Sequence, residues 1–298
     1  NWTTFFLLLG GMTSLSGVVG LFLMKDSPVL RPDRSGKYFA EVAYGFRPKS
    51  FVKHKMIYVC LFGMMFSGLS MQLWQPYMIV LLQYTLGFGD GYVLPLALVV
   101  LLSAVIAVIG GKLMDKFGKE KFFYPVAAAG VLGGLIVYVI KFCGANKALT
   151  FALFVVGGTL IEGASLLVAG LFNASARDYT PKDKAGCFQG VRIIIYVTVP
   201  MILASLFTPL IINGFGEELK SYNDLITSNS GYNIGDKVYP FELFLFSAVA
   251  AAFVFVPSVI VRKQAGEFRR KELLQINADV EGNVDVATEQ QAAEQVDN

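Results

Sequence analysis

Seven long apolar runs, almost free of charge, decide what this chain can fold into. They lie at 4–24, 56–84, 92–113, 122–143, 149–175, 187–213 and 239–261. A hydrocarbon core about 30 Å thick is crossed by roughly 20 helical residues. An unpaired backbone amide finds no water there, so each run is expected to be a helix and not a lone strand. Pro76, Pro95, Pro125, Pro200, Pro209 and Pro257 fall inside or at the ends of these runs, which membrane helices tolerate where neighbours satisfy the freed carbonyls. Composition agrees. Only 16 % of the 298 residues are charged and 55 % are hydrophobic, against about 25 % charged in soluble domains. The expected fold class is an all-α membrane protein with seven transmembrane helices.

Orientation follows from the basic residues. The segment 25–55 carries eight lysines and arginines, 112–121 four, 176–186 three and 262–271 five, twenty in all. The opposite side has only Lys141, Lys147, Lys220 and Lys237. That bias places the four basic segments and the C-terminus in the cytoplasm, with the chain in the cell (inner) membrane.

Several function classes fall away. A net charge of +3 without a basic soluble face argues against nucleic-acid binding. Cys60, Cys143 and Cys187 have no metal-site spacing, and His54 is the single histidine. No catalytic triad, HExxH or strand-borne GxGxxG is present, so no enzyme, metal site or cofactor is expected. A seven-helix receptor is disfavoured by the length of the segment after the first run.

The chain divides into four expected parts. Residues 1–24 form the last helix of one bundle and 25–55 a cytoplasmic linker, with an amphipathic core at Tyr38–Tyr44. Residues 56–264 form a six-helix bundle, and 265–298 an acidic, mostly disordered tail. The chain opens at Asn1-Trp2-Thr3-Thr4 and runs directly into apolar sequence, so it reads as a fragment. Small residues four apart (Ser16 and Gly20, Gly63 and Ser67, Gly130 and Gly134) are spaced for close helix packing.

Between the third and fourth runs stands Gly110-Gly111-Lys112-Leu113-Met114-Asp115-Lys116-Phe117-Gly118-Lys119-Glu120-Lys121. Glycines permit a tight reversal, Asp115 can meet a helix N-terminus or a basic partner, and the lysines hold the turn at the cytoplasmic face. This loop resembles the signature loop of the major facilitator superfamily through Gly111, Asp115, Lys116, Gly118, Lys119 and Lys121, interrupted by Glu120. The stretch from Ala176 to Gly190, with Arg177 and Asp178, resembles the charged loop between that family's helices ten and eleven. The resemblance covers roughly residues 1–265 and implies that the seven spans are family helices six to twelve. It also implies that 25–55 is the central loop and that the missing N-terminal half is a partner of this one. Gly111, Asp115, Lys116, Gly118, Lys119, Arg177, Asp178 and Arg192 are then the candidate cytoplasmic gate.

Polar groups at membrane depth are costly and mark candidate solute contacts. The second run carries Gln72, Trp74, Gln75, Tyr77 and Gln83, and on an ideal helix the three glutamines share a side. Amides beside an indole and a phenol suit a neutral polyhydroxy solute, although the same amides can serve as interhelical glue. The run resembles the family's seventh helix, where sugar carriers often place glutamines. Glu162 is the only carboxylate deep in a run, with Thr159, Ser165 and Asn173 on its side. It is a candidate for proton coupling, with a structural carboxylate as the competing role. Arg192 lies about five residues inside the sixth run, roughly 8 Å deep, where it can snorkel or anchor the gate. Glu242 is expected to reach the headgroups.

The function implied is a secondary active transporter of a small polar solute, a sugar or glycoside being favoured, working by alternating access with H+ or Na+ coupling. The alternative is a family member that exports amphipathic drugs or metabolites. Solute, coupling ion and the lipid bilayer are the expected partners.

Overall fold

The computed structural model describes residues 2–23, 43–143, 146–181, 185–218 and 237–264. The amphipathic segment 38–42, most of the loop 214–238 and the acidic tail lie outside the described residues. The chain falls into two bodies, Asn1–Glu41 and Val42–Asn298.

In the first body, α1 (Trp2–Leu23) is a continuous helix. Its hydroxyls turn back on their own backbone: Thr13 Oγ1 donates to the Leu9 carbonyl at 2.8 Å, and Ser16 Oγ to that of Met12 at 2.9 Å. Such bonds spare the helix an unsatisfied hydroxyl in lipid.

Among the described residues, the second body holds six helices long and apolar enough to cross a membrane. They are α2 (Lys55–Thr85), α3 (Val93–Phe117), α4 (Phe123–Phe142), α5 (Lys147–Tyr179), α6 (Ala185–Phe215) and α7 (Glu242–Gln264). With α1 the count is the seven expected. Two helices extend further than their apolar runs. Lys112–Phe117 continues α3, so the reversal shrinks to a turn at Gly118, whose φ of +89° is one that glycine adopts without strain. Arg177 and Asp178 belong to the last turn of α5, not to a loop. There Thr180 Oγ1 donates to the Ala176 carbonyl at 2.6 Å, and Pro181 follows.

Prolines shape the other helices. Pro200 has no N–H for the carbonyl of Tyr196, and α6 widens there into a π turn over Ile194–Thr198. Gly68 of α2 faces that carbonyl, and a Cβ at Gly68 would stand 2.8 Å from it. Pro76 sits in a tight 3-10 turn, Gln75–Tyr77, and Leu81–Thr85 forms a π turn. The ideal helical register expected for Gln72, Gln75 and Gln83 therefore does not run through α2.

α5 is central. It packs on α4, α3 and α2; α7 packs on α4 and α2; α6 packs on α2. Apart from a smaller contact of α6 with α7, exchanging α2, α3 and α4 for α5, α6 and α7 maps these pairs onto themselves. Two triplets of oppositely directed helices related in this way form an inverted repeat.

Small residues set the closest approaches. A Cβ at Gly133 of α4 would lie 2.7 Å from both the Gly157 carbonyl and the Ile161 amide of α5. Gly134 meets Ala248 and the Phe244 carbonyl of α7, while Gly63 lies under the ring of Phe172. In lipid no hydrophobic force joins helices, so van der Waals contact and interhelical hydrogen bonds carry the association. Two buried apolar clusters result, one around Leu61, Phe123 and Phe172 and one around Trp74, Phe154 and Phe244. Between them on α2, Ser67 bonds Ser165 of α5 at 3.1 Å and Ser70 bonds Ser247 of α7 at 2.9 Å. Leu94, Leu101 and Val108, seven residues apart on α3, are about 60 % exposed. Water would not favour such a stripe; hydrocarbon does.

The segment preceding α2 is anchored. Tyr58 donates to the Gly45 carbonyl, and Ser50 Oγ to that of Tyr44 at 2.6 Å. The rings of Tyr44 and His54 meet Phe188 of α6 at 6.4 and 5.2 Å.

Candidate functional site

The gate residues expected from two separate loops come together at the basic end of the bundle. Lys119, just past the Gly118 turn, forms an ion pair with Asp178 in the last turn of α5. Their side chains are 31 % and 44 % exposed, so the pair is worth at most about 1 kcal/mol and works as a positional clip between the α3–α4 turn and α5. Asp115 has no ion-pair partner among the described residues, and Lys116 lies over the ring of its neighbour Phe117 at 5.4 Å. A Cβ at Gly111 would meet nothing within 4 Å, whereas one at its buried neighbour Gly110 would lie 2.7 Å from the Leu167 side chain of α5. The glycine that packing demands is thus Gly110.

A cavity of about 480 Å³ opens between α2, α5 and α6 at the same end. Ile57, Leu61 and Phe188 give it apolar walls; Asn173, Arg177, Thr180, Gln189 and Arg192 supply the polar ones. Arg192 donates from a guanidinium nitrogen to Asn173 Oδ1 at 2.7 Å. This brings a residue expected at the solute site and one expected at the gate into one bonded pair.

Glu162 continues this face of α5 towards the membrane centre. It precedes Asn173 by eleven residues and Arg177 by fifteen, so all three fall within an arc of about 60°. Other faces of α5 are taken: Gly163 and Gly158 by α3, Gly157 and Ile161 by α4, Ser165 and Phe172 by α2. Glu162 is half-buried and has no hydrogen-bond or ion-pair partner among the described residues. Tyr196 of α6 lies within electrostatic range of both Glu162 and Arg192. Thr159 is buried with its hydroxyl unpartnered, and Ser165 is engaged with Ser67.

The α2 candidates divide. Gln75 is exposed and Gln72 half-buried. Tyr77 stacks obliquely on Tyr239 at 4.7 Å. Trp74 is 1 % exposed, packs on Phe244 at 5.5 Å, and has no partner for its indole N–H. The structure thus places Trp74 inside the apolar cluster and away from the lining of the cavity.

At the opposite end Glu242 corrects an expectation. It is 5 % exposed and paired with Lys141 at 2.5 Å instead of reaching outward. Lys141 at the end of α4 offers a nearer counter-charge than the headgroups, and α4 and α7 are already packed together. Sequence reasoning also missed the serine pairs. Their signal was two serines three residues apart, Ser67 and Ser70, in an otherwise apolar run.

Among the described residues, no cluster of His, Cys, Asp and Glu could hold a metal. No match was found among curated proteins or among solved structures. The family model of the Major Facilitator Superfamily, a family of secondary membrane transporters that are generally not enzymes, matches residues 1–205. More than half of the chain is thereby covered, and the all-α bundle of membrane-spanning helices agrees with it. The chain is a multi-pass membrane protein that belongs to the major facilitator superfamily of secondary transporters.

Proposed function

We propose that this chain supplies the C-terminal bundle of a carrier for a small polar solute, a sugar or glycoside being favoured. In this reading it acts with an N-terminal bundle encoded upstream, in the cell (inner) membrane, with the basic end and the C-terminus in the cytoplasm. The observation that carries the reading is the polar face of α5. Glu162, Asn173 and Arg177 line up along a surface that leads into the 480 Å³ cavity. Hydrogen-bonding groups at membrane depth, aligned on one helix, fit a hydroxylated solute better than an apolar one. Gln72, Gln75 and Tyr77 on α2 would add amide and phenol contacts, and the two triplets would rock against their counterparts around that site. Glu162 is assigned the coupling proton; Na+ is the alternative coupling ion.

One observation favours export of amphipathic compounds instead. α2, α6 and α7 enclose an apolar groove of about 430 Å³, with Phe66, Phe207, Phe215 and Phe253 in its walls. Uptake of radiolabelled sugars, set against efflux of a lipophilic dye, separates the two in cells expressing the full-length protein. Saturable sugar uptake without dye efflux is expected. Dye efflux without sugar uptake would replace this reading by the second.

A further inference from the structure

The basic-end cavity has an unusual charge balance. Arg177 comes from α5 and Arg192 from α6, and both line it, while among the described residues no carboxylate does. The acid nearest in sequence, Asp178, is held by Lys119. Neither arginine has an ion-pair partner among the described residues, and the one bond recorded for Arg192 goes to a neutral amide, Asn173. A guanidinium carries five N–H donors in a fixed fork, so most of the donors of Arg192 meet no partner among the described residues. This group also lies some way inside a membrane-spanning helix, where an uncompensated cation is costly. Gln189 adds an amide donor to the same walls, while the Thr180 hydroxyl is committed to the Ala176 carbonyl.

Two guanidiniums lining one cavity, with the Gln189 amide in the same walls, supply the chemistry of oxyanion recognition. A planar fork meets two oxygens of a carboxylate or phosphate at once. We propose that this cavity is a binding site for an oxyanion group, phosphate or carboxylate, held between Arg177 and Arg192. At about 480 Å³ it exceeds what a bare inorganic anion fills, so the natural ligand carries that group on a larger body: a small organic acid or ester, or a lipid headgroup. Occupancy would tie α5 to α6 at this end. The oxyanion site shares Arg177 and the cavity with the proposed solute path, but it requires the pair Arg177 and Arg192 and neither Glu162 nor the glutamines of α2.

The test uses the full-length protein in phosphatidylcholine nanodiscs, titrated with inorganic phosphate at ionic strength held constant with sodium chloride. A saturable rise in Tm is expected. Arg192→Gln and Arg177→Gln should each weaken the apparent affinity for phosphate roughly tenfold or more, as loss of a charge-assisted contact does. Arg192→Lys should fall between, since charge survives but the fork does not. Lys112→Gln removes a basic charge at the same end but outside the cavity, and should leave the titration unchanged. In nanodiscs containing phosphatidylglycerol, a raised Tm that phosphate no longer increases, and that depends on the same arginines, identifies a headgroup as the oxyanion. A flat phosphate response in both lipids overturns the proposal. So does a response that survives both Arg→Gln changes, or one weakened equally by Lys112→Gln. Arg177 is exposed, so its variant keeps the test informative even if Arg192→Gln fails to fold.

Discussion

Glu162 is half-buried on α5 and meets no ion-pair partner among the described residues, while Asn173 three turns away is held by Arg192. A carboxyl left without a fixed counter-charge is free to change its protonation during a transport cycle. Replacing it by Gln keeps the shape and removes the proton. In proteoliposomes of the full-length protein, Glu162→Gln should abolish uphill solute uptake while counterflow exchange persists. Unchanged concentrative uptake in the variant would remove Glu162 from the coupling step. At this scale the sequence was informative about chemistry and poor about direction. The shared face of Glu162 and Asn173 was legible because both lie on a single regular helix. Trp74 was not: the tight turn at Gln75–Tyr77 breaks the register of α2, and the indole ends in an apolar cluster. The partner of Glu242 was hidden because Lys141 lies about a hundred residues away in sequence.

Among elements, the contact of α4 with α5 is the most extensive, and its closeness depends on Gly133 lying against Gly157. Gly133→Ala puts a methyl 2.7 Å from backbone atoms that cannot rotate away. Separating the two helices should cost roughly 1–3 kcal/mol, as overpacking does, and should lower the Tm of the detergent-solubilised protein. Gly170→Ala on α5, where a Cβ touches nothing within 4 Å, serves as the control and should leave Tm unchanged. An equal Tm for the two variants would show that the glycine contact does not limit stability. Helix positions were readable from apolar length, since lipid imposes both length and regularity. Helix ends were less so, because Lys112–Phe117 and Ala176–Tyr179 are polar enough to resemble loops while their backbone bonds continue the helices. Spacing of small residues gave Gly63 and Gly134 correctly as close-approach sites but overlooked Gly133, which breaks the four-residue pattern.

For the molecule as a whole, the six membrane-crossing helices among the described residues of the second body form two triplets whose main contacts, the α6–α7 contact apart, exchange into one another. That symmetry is what alternating-access carriers of this family use. Nothing in the spacing of residues reveals it, since it lies in which helices touch. The sidedness of the bundle, by contrast, is carried by the sequence alone, through its uneven lysines and arginines. The proposed site depends on that sidedness, because a cavity between Arg177 and Arg192 samples cytoplasmic solutes only if the basic end faces inward. Two native cysteines mark the two ends. Cys143 follows α4 near Lys141, Cys187 sits in the first turns of α6, and both are partly exposed. Single-cysteine versions of the full-length protein, treated in intact cells with a membrane-impermeant maleimide, measure orientation directly. Cys143 should react from outside, and Cys187 only after the membrane is permeabilised. Labelling of Cys187 in intact cells, with Cys143 protected until permeabilisation, would contradict this orientation.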